Sequence, residues 1–379
     1  MNDSGICIVG GGPAGLISAL ALHRRGLSPV VVLEAGGPLR DKACGEGLMP
    51  DGLECLRSLG VDFSEVPSAP LRGIRYLSET AGRQLFAEGR FPQGEGMGIR
   101  RTELHRVLLE AAERVGIEVR FHSRVEGLSP RGVRLQHREL GARWVVGADG
   151  LHSWVRRWAG LGVGLRSPKS RPQDRFGIRQ HYRIKPWTSM VEVHWGRGVE
   201  AYVTPTAPEE VCVTMLFCRS QRSDLSRLRH RFPRLIERLG DAPSVSKPRG
   251  AGLFRQRSSS VACGKVLLVG DAAGYVDALG GDGISLAVHQ ASALADALAK
   301  EDPAAYQRAY QRLVCWPHRI GYLLLAATHR PWLRDRMIRV LHREPKLFAR
   351  LLAVHGREEA GGSMGWGEVF SIATRFAVG

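Results

Sequence analysis

The sequence predicts an α/β fold in which a parallel-sheet domain is interrupted by an antiparallel sheet and followed by a helical C-terminal region. Three observations predict it. Two short, wholly apolar segments, 6–9 and 30–33, flank a glycine-rich turn and a helix, which is typical of buried parallel strands. Residues 176–217 instead alternate apolar and polar side chains, as antiparallel strands do. A continuous apolar strand over 265–269 and a long helix over 284–298 then return to the first pattern.

The same changes of pattern divide the chain into three regions. We expect the parallel-sheet domain to consist of three separated segments, residues 1–72, 94–165 and 259–300. The antiparallel unit comprises residues 73–93 and 166–258, and the helical C-terminal region comprises residues 301–379.

Composition excludes several classes of protein. The 379 residues are 44% hydrophobic and 24% charged, which is enough apolar material for a folded core. Seven cysteines without a C-x-x-C pair argue against a disulfide framework and a zinc site, so we expect no metal. The first residues carry no secretion signal, and the longest apolar stretch, 320–327, is far shorter than the roughly 20 residues of a membrane span. We therefore expect a cytoplasmic protein.

The formal net charge of +17 suggests a nucleic-acid partner or an anionic membrane surface. No signature of a nucleic-acid-binding fold accompanies the charge, so we expect no nucleic-acid partner. Two basic segments, 219–238 and 330–350, carry apolar residues at helical spacing. The apolar positions are Leu225, Leu228, Phe232 and Leu235 in the first segment, and Leu333, Met337, Val340 and Leu341 in the second. Such helices either rest on an anionic membrane or turn their apolar faces to the core, and the sequence leaves both open, as it does the oligomeric state.

The glycine-rich turn predicts a dinucleotide site. Gly10, Gly12 and Gly15 form a G-x-G-x-x-G pattern that follows a strand and opens a helix with Pro13 and Ala14. The first glycine permits a tight turn, the second lets the backbone approach a pyrophosphate, and the third allows close packing of helix on strand. At the end of the next strand, 19 residues beyond Gly15, Glu34 is placed to bind ribose hydroxyls, beside Ala35.

Two further strand-to-turn segments carry an aspartate, Val-Val-Gly-Ala-Asp-Gly over 145–150 and Leu-Val-Gly-Asp-Ala-Ala over 268–273. Together with the N-terminal glycines, and in this order, they resemble the para-hydroxybenzoate-hydroxylase-type flavoproteins over roughly residues 5–300. That superfamily contains aromatic hydroxylases, flavin-dependent halogenases and geranylgeranyl reductases. The resemblance implies a Rossmann-like FAD-binding domain, FAD as cofactor and NAD(P)H as electron donor.

The resemblance also implies roles for individual residues. Asp271, after Gly270, would bind the ribityl chain of FAD, and Asp149 lies in a segment that serves both flavin and nicotinamide. Arg101 would reach the phosphate or ribityl side, and the backbone of Val125 would meet the adenine. The helix opened by Gly281 and Gly283 would direct its positive end at the flavin ring.

The loop over 44–50 would run beside the flavin and bears on the reaction. Its Cys-Gly-Glu-Gly start resembles the geranylgeranyl-reductase branch, so Cys44 is either an acid or redox group or a small residue packed on the cofactor. Ser285 stands where many hydroxylases have asparagine, and Ala278 stands where both the hydroxylase and the reductase branches often have proline. The W-x-W-x-I-P signature of the halogenases is absent, which disfavours halogenation.

The antiparallel unit is expected to cover the flavin with a largely apolar pocket for a lipophilic small molecule. Inward-pointing candidates are His194, Tyr202, Thr204, Met215 and Phe217. The sequence thus favours an FAD-dependent monooxygenase that hydroxylates a lipophilic aromatic or polyketide with NAD(P)H and dioxygen. One alternative is a reductase of isoprenoid double bonds, and another is a non-catalytic, flavin-holding peripheral membrane protein.

Overall fold

The structure, a computed structural model, describes residues 5–80, 83–163, 174–196, 198–221 and 231–356 of the chain. In chain order, its strands are β1 (Ile6–Val9), β2 (Val30–Leu33), β3 (Gly47–Leu48), β4 (Ser68–Leu71), β5 (Gly73–Thr80), β6 (Arg83–Arg90), β7 (Gly96–Ile99), β8 (Glu118–Arg120), β9 (Val125–Leu128), β10 (Gly132–Leu135), β11 (Arg138–Gly141), β12 (Trp144–Gly147), β13 (Arg175–Arg183), β14 (Met190–Trp195), β15 (Val199–Ala207), β16 (Glu210–Cys218), β17 (Arg249–Gly252), β18 (Ala262–Cys263) and β19 (Val266–Leu268). Its helices are α1 (Pro13–Arg24), α2 (Pro50–Ser58), α3 (Arg101–Arg114), α4 (Trp154–Trp158), α5 (Pro233–Leu239), α6 (Gly283–Ala299), α7 (Pro303–His329), α8 (Pro331–Arg343) and α9 (Pro345–Gly356).

A six-stranded sheet with the order β18–β19–β12–β1–β2–β8 forms the centre of the Rossmann-like domain. Its neighbouring strands are parallel except for the β18–β19 pair at one edge. Strands β1 and β2 are buried along their whole length, as expected where helices cover a parallel sheet on both faces. The predicted apolar strands on either side of the glycine turn are therefore confirmed, and β19 joins them in the same sheet.

Helix α1 lies between the parallel sheet and two other helices, α3 and α6. Its side chains from Leu16 to Leu22 are all buried, which explains why this helix is apolar all round. The helix ends as predicted, because Gly26 follows the C-cap residue Arg25 and has a φ of +73°. This packing fixes the N-terminal end of α1 against the glycine turn.

A seven-stranded sheet with the order β17–β13–β16–β15–β14–β5–β6 forms the second unit. Its strand pairs are antiparallel, as the alternating pattern predicts, except that β14 runs parallel to β5. The β5–β6 hairpin comes from a much earlier part of the chain. No short turn therefore dictates the direction in which β5 pairs with β14.

Two three-stranded sheets complete the fold. The sheet β3–β7–β4 lies against β15 and α2, and so joins the two large sheets. The sheet β11–β10–β9 packs beside α4 and β12 at the edge of the Rossmann-like domain. The first of these places the loop before β3 at the junction of the two units.

The C-terminal helices cover one face of the seven-stranded sheet. Helices α8 and α9 pack on β6, and the apolar residues Met337, Leu341 and Phe348 are buried in the resulting core. The apolar face of this basic segment is thus turned to the core. Arg334 is also buried, and its Nε donates to Oδ1 of Asp335 at 2.8 Å. Membrane contact through the remaining cationic surface stays a prediction.

The other basic segment is described only in part. Leu235 of α5 is fully buried against the opposite face of the seven-stranded sheet, together with Phe232. Leu225 and Leu228 lie outside the described residues, as does the chain from residue 357 onward. Among the described helices, none is both long enough and apolar enough to cross a membrane.

Candidate functional site

One large cavity of about 1580 Å³ extends from the glycine turn after β1 to the C-terminal helices. Typical ligand pockets measure about 300–1,000 Å³, so this one has room for two ligands side by side. Its polar end is bounded by the ends of parallel strands, and its apolar end by the seven-stranded sheet and α7 to α9. We call the two ends the cradle and the chamber.

The glycine turn forms the floor of the cradle. Gly10 has a φ of +111°, and a Cβ atom there would lie 2.5 Å from the carbonyl oxygen of Ala148. A Cβ atom on Gly15 would lie 1.9 Å from the carbonyl oxygen of Gly10, so this glycine permits the predicted close packing. The N-cap residue of α1, Gly12, has no capping side chain, and the first turn contains no acidic residue. The backbone N–H groups of that turn are therefore available to an anion.

Two cations face this helix end. Arg101 starts α3 and is buried, and its Nη1 atom has no hydrogen-bond partner. Its Nη2 atom would be 3.8 Å from a Cβ atom placed on Gly12. Lys42, which the sequence did not single out, also borders the cradle, and burial lowers the pKa of its ammonium group. The buried Arg101 and the more exposed Lys42, both at the cavity beside an uncapped helix N-terminus, fit a pyrophosphate.

Glu34 directly follows β2, and its carboxylate borders the cradle. Its Oε2 accepts a hydrogen bond from the Gly11 N–H, and its Oε1 accepts one from the Gly36 N–H, both at 2.9 Å. These bonds hold the carboxylate at the cavity wall next to Ala35. The position is suited to the vicinal hydroxyls of a ribose.

Asp271 lies across the cradle on the turn after β19. Gly270 makes this turn with a φ of +60°, and its N–H donates to Oε1 of Gln290 at 2.7 Å. Burial raises the pKa of the Asp271 carboxyl group, and the nearby cations Lys42 and Arg101 offset part of that rise. An acceptor in this place can bind hydroxyl groups of a ligand in the cavity.

Asp149 uses its side chain to cap a helix. Its carboxylate accepts hydrogen bonds from the Ser153 hydroxyl at 2.5 Å and from the N–H groups of Trp154 and Val155 at 2.7 and 3.1 Å. Asp149 and Gly150 both border the cavity, but the carboxylate of Asp149 is already engaged in these hydrogen bonds. The side chain fixes the start of α4.

A second helix end opens on the cavity at α6. Gly281 has a φ of +67°, Asp282 is the N-cap residue without a side-chain cap, and Gly283 begins the helix. The positive end of α6 lies at the space between cradle and chamber, where it would stabilise negative charge on a bound ring. Val125, at the start of β9, borders the far end of the cradle.

The loop before β3 lies between the cradle and the chamber, and Cys44 borders the cavity there. Burial, reinforced by the carboxylate of Glu46, raises the pKa of the Cys44 thiol, which therefore stays protonated. The Glu46 carboxylate is buried behind the loop. It accepts a hydrogen bond from the Arg101 N–H at 3.1 Å and lies 2.5 Å from Nε2 of His181.

The chamber is lined mainly by aromatic and aliphatic side chains. Tyr76 and Phe348 stack with ring centroids 5.1 Å apart, and Val193 of β14 and Leu216 of β16 also line the chamber. Tyr202 donates its hydroxyl to the carbonyl oxygen of Leu279 at 3.0 Å. Its polar end is thus occupied, and its ring faces the cavity.

The three comparisons with known proteins agree with this geometry. The family model described as FAD binding domain matches residues 3–307. The chain belongs to this family of FAD-binding proteins. Monooxygenases and reductases are among its relatives. The residues of the cradle fit FAD, because its uncapped helix ends and the unpartnered Nη1 of Arg101 supply the donors that a pyrophosphate accepts.

The relatives of this flavoprotein fall into two groups by name, reductases and hydroxylases or monooxygenases. The chain is 32% identical to a digeranylgeranylglycerophospholipid reductase of Methanosarcina acetivorans over 173 residues, which are 42% of this chain and 41% of that protein. It is 37% identical to the phenazine 1,6-dicarboxylic acid hydroxylase PhzS of Lysobacter antibioticus over 176 residues, 41% of this chain and 42% of the relative. These matches thus span about two fifths of either relative. A menaquinone reductase of Mycobacterium tuberculosis is 27% identical over 80% of this chain and 78% of its own.

Solved structures share the fold. A flavoprotein/dehydrogenase from Cytophaga hutchinsonii has a TM-score of 0.77 at 17% identity, covering 93% of this chain and 92% of its own. CmlS, a flavin-dependent halogenase, has a TM-score of 0.74 at 21% identity, covering 86% of this chain and 64% of its own. At these identities the likeness concerns the architecture alone.

The residues predicted for FAD lie together in the flavoprotein's cavity. Those that border it are Gly10, Gly12, Pro13, Ala14, Glu34, Ala35, Cys44, Arg101, Val125, Asp149, Gly270, Asp271, Gly281 and Gly283. Gly15 lies behind the glycine turn, where it permits packing. Their individual contacts with FAD stay predictions.

Three of the five predicted pocket residues do not reach the chamber. Tyr202 and Thr204 border it, but Met215 and Phe217 are buried on the opposite face of the sheet with α5. His194 also lies on that face, 3.2 Å from Oε2 of Glu192. The prediction that these three point inward is wrong, because neighbouring residues of a strand point to opposite faces. Thr214 and Leu216 occupy the chamber face instead.

Sequence analysis did not assign a role to the arginine that joins two FAD segments. Arg156 is fully buried, and its Nη1 donates to the carbonyl oxygen of Ala272 at 2.8 Å. Its Nη2 donates to the carbonyl oxygen of Leu151 at 2.9 Å. The only sequence signal was its place directly after the Ala-Asp-Gly turn. It positions the Asp271 turn against α4.

Proposed function

We propose that this flavoprotein is a monooxygenase that uses NAD(P)H and dioxygen to hydroxylate a lipophilic aromatic molecule. In this reaction a hydride from NAD(P)H and one proton are consumed together with O₂. One oxygen atom enters a ring C–H bond, and the other leaves as water. The observation that carries the proposal is the continuity of the cradle with an apolar chamber large enough for a second ligand.

The chamber favours a ring with few polar groups. Its wall beside the α6 end contains the rings of Tyr76 and Tyr202 and the aliphatic groups of Val193 and Leu216. Aromatic walls bind planar apolar ligands through stacking and edge contacts. The two threonines on this face, Thr204 and Thr214, could orient one hydroxyl of such a ligand.

When bound, FAD supplies the transfer of reducing equivalents from NAD(P)H to dioxygen. The chain holds the reactants and excludes water. The positive end of α6 stabilises negative charge near the reacting ring, and the protonated Cys44 thiol adds no competing anion. A dry, apolar chamber protects reduced oxygen species from water.

The test is oxygen uptake by the purified, FAD-loaded protein with NADH or NADPH and a panel of lipophilic phenols. The proposal expects that one or more phenols accelerates NAD(P)H oxidation and yields hydroxylated product in proportion to the oxygen consumed. Oxygen uptake that yields only hydrogen peroxide with every phenol would contradict it.

A second function is favoured by a separate observation, the neutral Cys44 thiol at the cavity wall. Saturation of an isoprenoid double bond adds a hydride equivalent to one carbon and a proton to the other. A protonated thiol at the cavity wall is able to donate that proton. Two relatives are named as reductases of molecules with isoprenoid chains, a digeranylgeranylglycerophospholipid reductase and a menaquinone reductase.

Anaerobic turnover separates the two functions. The reductase function expects reduced FAD to be reoxidised by a polyprenyl substrate without oxygen, with the loss of one double bond. Cys44→Ser, which keeps the size of the side chain, would then slow the reaction, whereas hydroxylation would change little.

A further inference from the structure

The chamber reaches the surface between α7 and α8 at an unusual group of residues. We call it the entrance rim and define it as Arg319, Leu323, Trp332 and Arg336, all of which border the cavity. Trp332 is 63% exposed and Leu323 is 41% exposed. Large apolar side chains at the mouth of an apolar cavity form a continuous hydrophobic surface from solvent to chamber.

The rim does not belong to the apolar faces that pack in the core. The core-facing residues of α7 and α8 include Leu324, Met337 and Leu341, which are buried. Leu323 and Trp332 are turned away from that core, because residues one position apart on a helix point in different directions. The basic helices thus have two apolar surfaces, one buried and one exposed.

The charge around the rim has one sign. Residues 303–343 contain eight arginines and a single acidic residue, Asp335. That carboxylate is buried and bonded to Arg334, so it does not offset the exposed arginines. Within the rim, the guanidinium of Arg319 lies 5.3 Å from the ring centroid of Trp316.

We propose that the entrance rim docks on an anionic membrane surface and that the lipophilic substrate enters the chamber from the bilayer. Tryptophan is enriched at membrane interfaces, where its ring lies at the level of the lipid headgroups. Arginine keeps its charge among the phosphates while its stem contacts acyl chains. The chemical class of the substrate that enters rests on the proposed function, but the docking of the rim on a membrane does not.

The test is co-sedimentation of the FAD-loaded protein with phosphatidylcholine vesicles, with and without phosphatidylglycerol. Wild type is expected to sediment with the anionic vesicles, and binding should weaken as salt increases. Leu323→Ser with Trp332→Ala, and separately Arg319→Glu with Arg336→Glu, should each weaken vesicle binding at least tenfold.

Two matched controls identify the surface. Val115→Ala removes an exposed apolar side chain at the end of α3, and Arg138→Glu reverses a charge on β11, both outside the cavity lining. These variants should bind like wild type. Bound FAD and circular dichroism show that every variant is folded.

The proposal is overturned by absence of vesicle binding, by equal binding to neutral vesicles, or by rim variants that bind like wild type. These outcomes do not involve catalysis. A failure of the proposed function would appear instead as missing hydroxylation of detergent-solubilised phenols, with vesicle binding intact.

Discussion

His181 Nε2 lies 2.5 Å from Glu46 Oε2, and both side chains are buried. His181 belongs to β13 of the seven-stranded sheet, while Glu46 belongs to the loop that lies between cradle and chamber. Nδ1 of the histidine lies 2.8 Å from the Ser246 hydroxyl. The pair therefore ties the cavity loop to the sheet that covers the chamber.

Removing this tie should loosen the loop and weaken FAD binding. Removing one partner of a buried hydrogen bond leaves the other unsatisfied, which typically costs about 1–3 kcal/mol and more for a charged group. We expect Glu46→Gln to lower the melting temperature, to raise the Kd for FAD at least tenfold and to shift the absorption bands of bound FAD. FAD titration and calorimetry measure these changes. Glu139→Gln, on exposed β11, is the control, and equal behaviour of the two variants would refute a positioning role for Glu46.

Arg101 should contribute to FAD affinity through its unpartnered guanidinium nitrogen. Hydrogen bonds to charged groups are worth about 1.5–3 kcal/mol, so Arg101→Ala should weaken FAD binding roughly 10- to 150-fold. Arg106→Ala, one turn along α3, is the control because its ion pairs with Glu103 and Glu110 lie at the surface. Such pairs contribute little. If both variants bind FAD like wild type, Arg101 does not meet the phosphates.

Gly15 should tolerate no side chain. A Cβ atom there would lie 1.9 Å from the carbonyl oxygen of Gly10, so Gly15→Ala must move α1 away from β1. We expect this variant to lose FAD and to have a melting temperature that is several degrees lower. At Gly45 nothing lies within 4 Å of an added Cβ, and Gly45→Ala should be nearly neutral. Thermal unfolding of both variants with and without FAD checks this difference.

The two faces of β16 should respond differently to added volume. Leu216→Phe fills part of the chamber and should raise KM for the bulkiest substrates with little effect on FAD binding. Val213→Ile adds one methylene to the closed core on the other face. Overpacking there should cost about 1–3 kcal/mol of unfolding free energy with KM unchanged. A rise of KM in both variants would contradict the assignment of the faces.

Glu192 should make the free energy of unfolding depend on pH in the acidic range. Its buried carboxylate accepts hydrogen bonds from Trp187 and Arg75. Burial alone would raise its pKa, but bonds from His194 and Trp187 and the nearby cations hold the pKa of Glu192 at about 2. A folded-state pKa below the unfolded value means stability that is fully present above about pH 4.5 and is lost as the pH falls towards 2.

The expected contribution is about 3 kcal/mol at neutral pH. Denaturant unfolding of wild type and Glu192→Gln should therefore differ most at pH 6 and least near pH 2.5. A difference that stays constant over this range would show that the charge of Glu192 is not responsible.

The cradle could be predicted from sequence because its chemistry depends on backbone. Gly10, Gly12 and Gly15 are needed at fixed spacing whatever the rest of the protein does, and Glu34 follows from the length of one helix and one strand. The sequence could not predict which face of each chamber strand points into the cavity. Strand β15 is buried on both faces from Val199 to Thr206, so its hydropathy does not show which side faces the cavity.

Contacts between distant segments were also beyond the sequence pattern. The bond from Arg156 to Ala272 joins residues 116 positions apart, and no local periodicity encodes it. The same holds for His181 and Glu46, which come from different units of the fold. The exposed entrance rim could not be predicted, because a basic amphipathic pattern is equally consistent with a helix whose apolar face is buried in the core.

The most direct test of the account is turnover under ¹⁸O₂ with NAD(P)H and a lipophilic phenol that stimulates NAD(P)H oxidation. The proposed monooxygenase predicts a product heavier by one ¹⁸O atom, with the second ¹⁸O atom in water. A product that contains no ¹⁸O, or an alkene saturated equally well without oxygen, would contradict it.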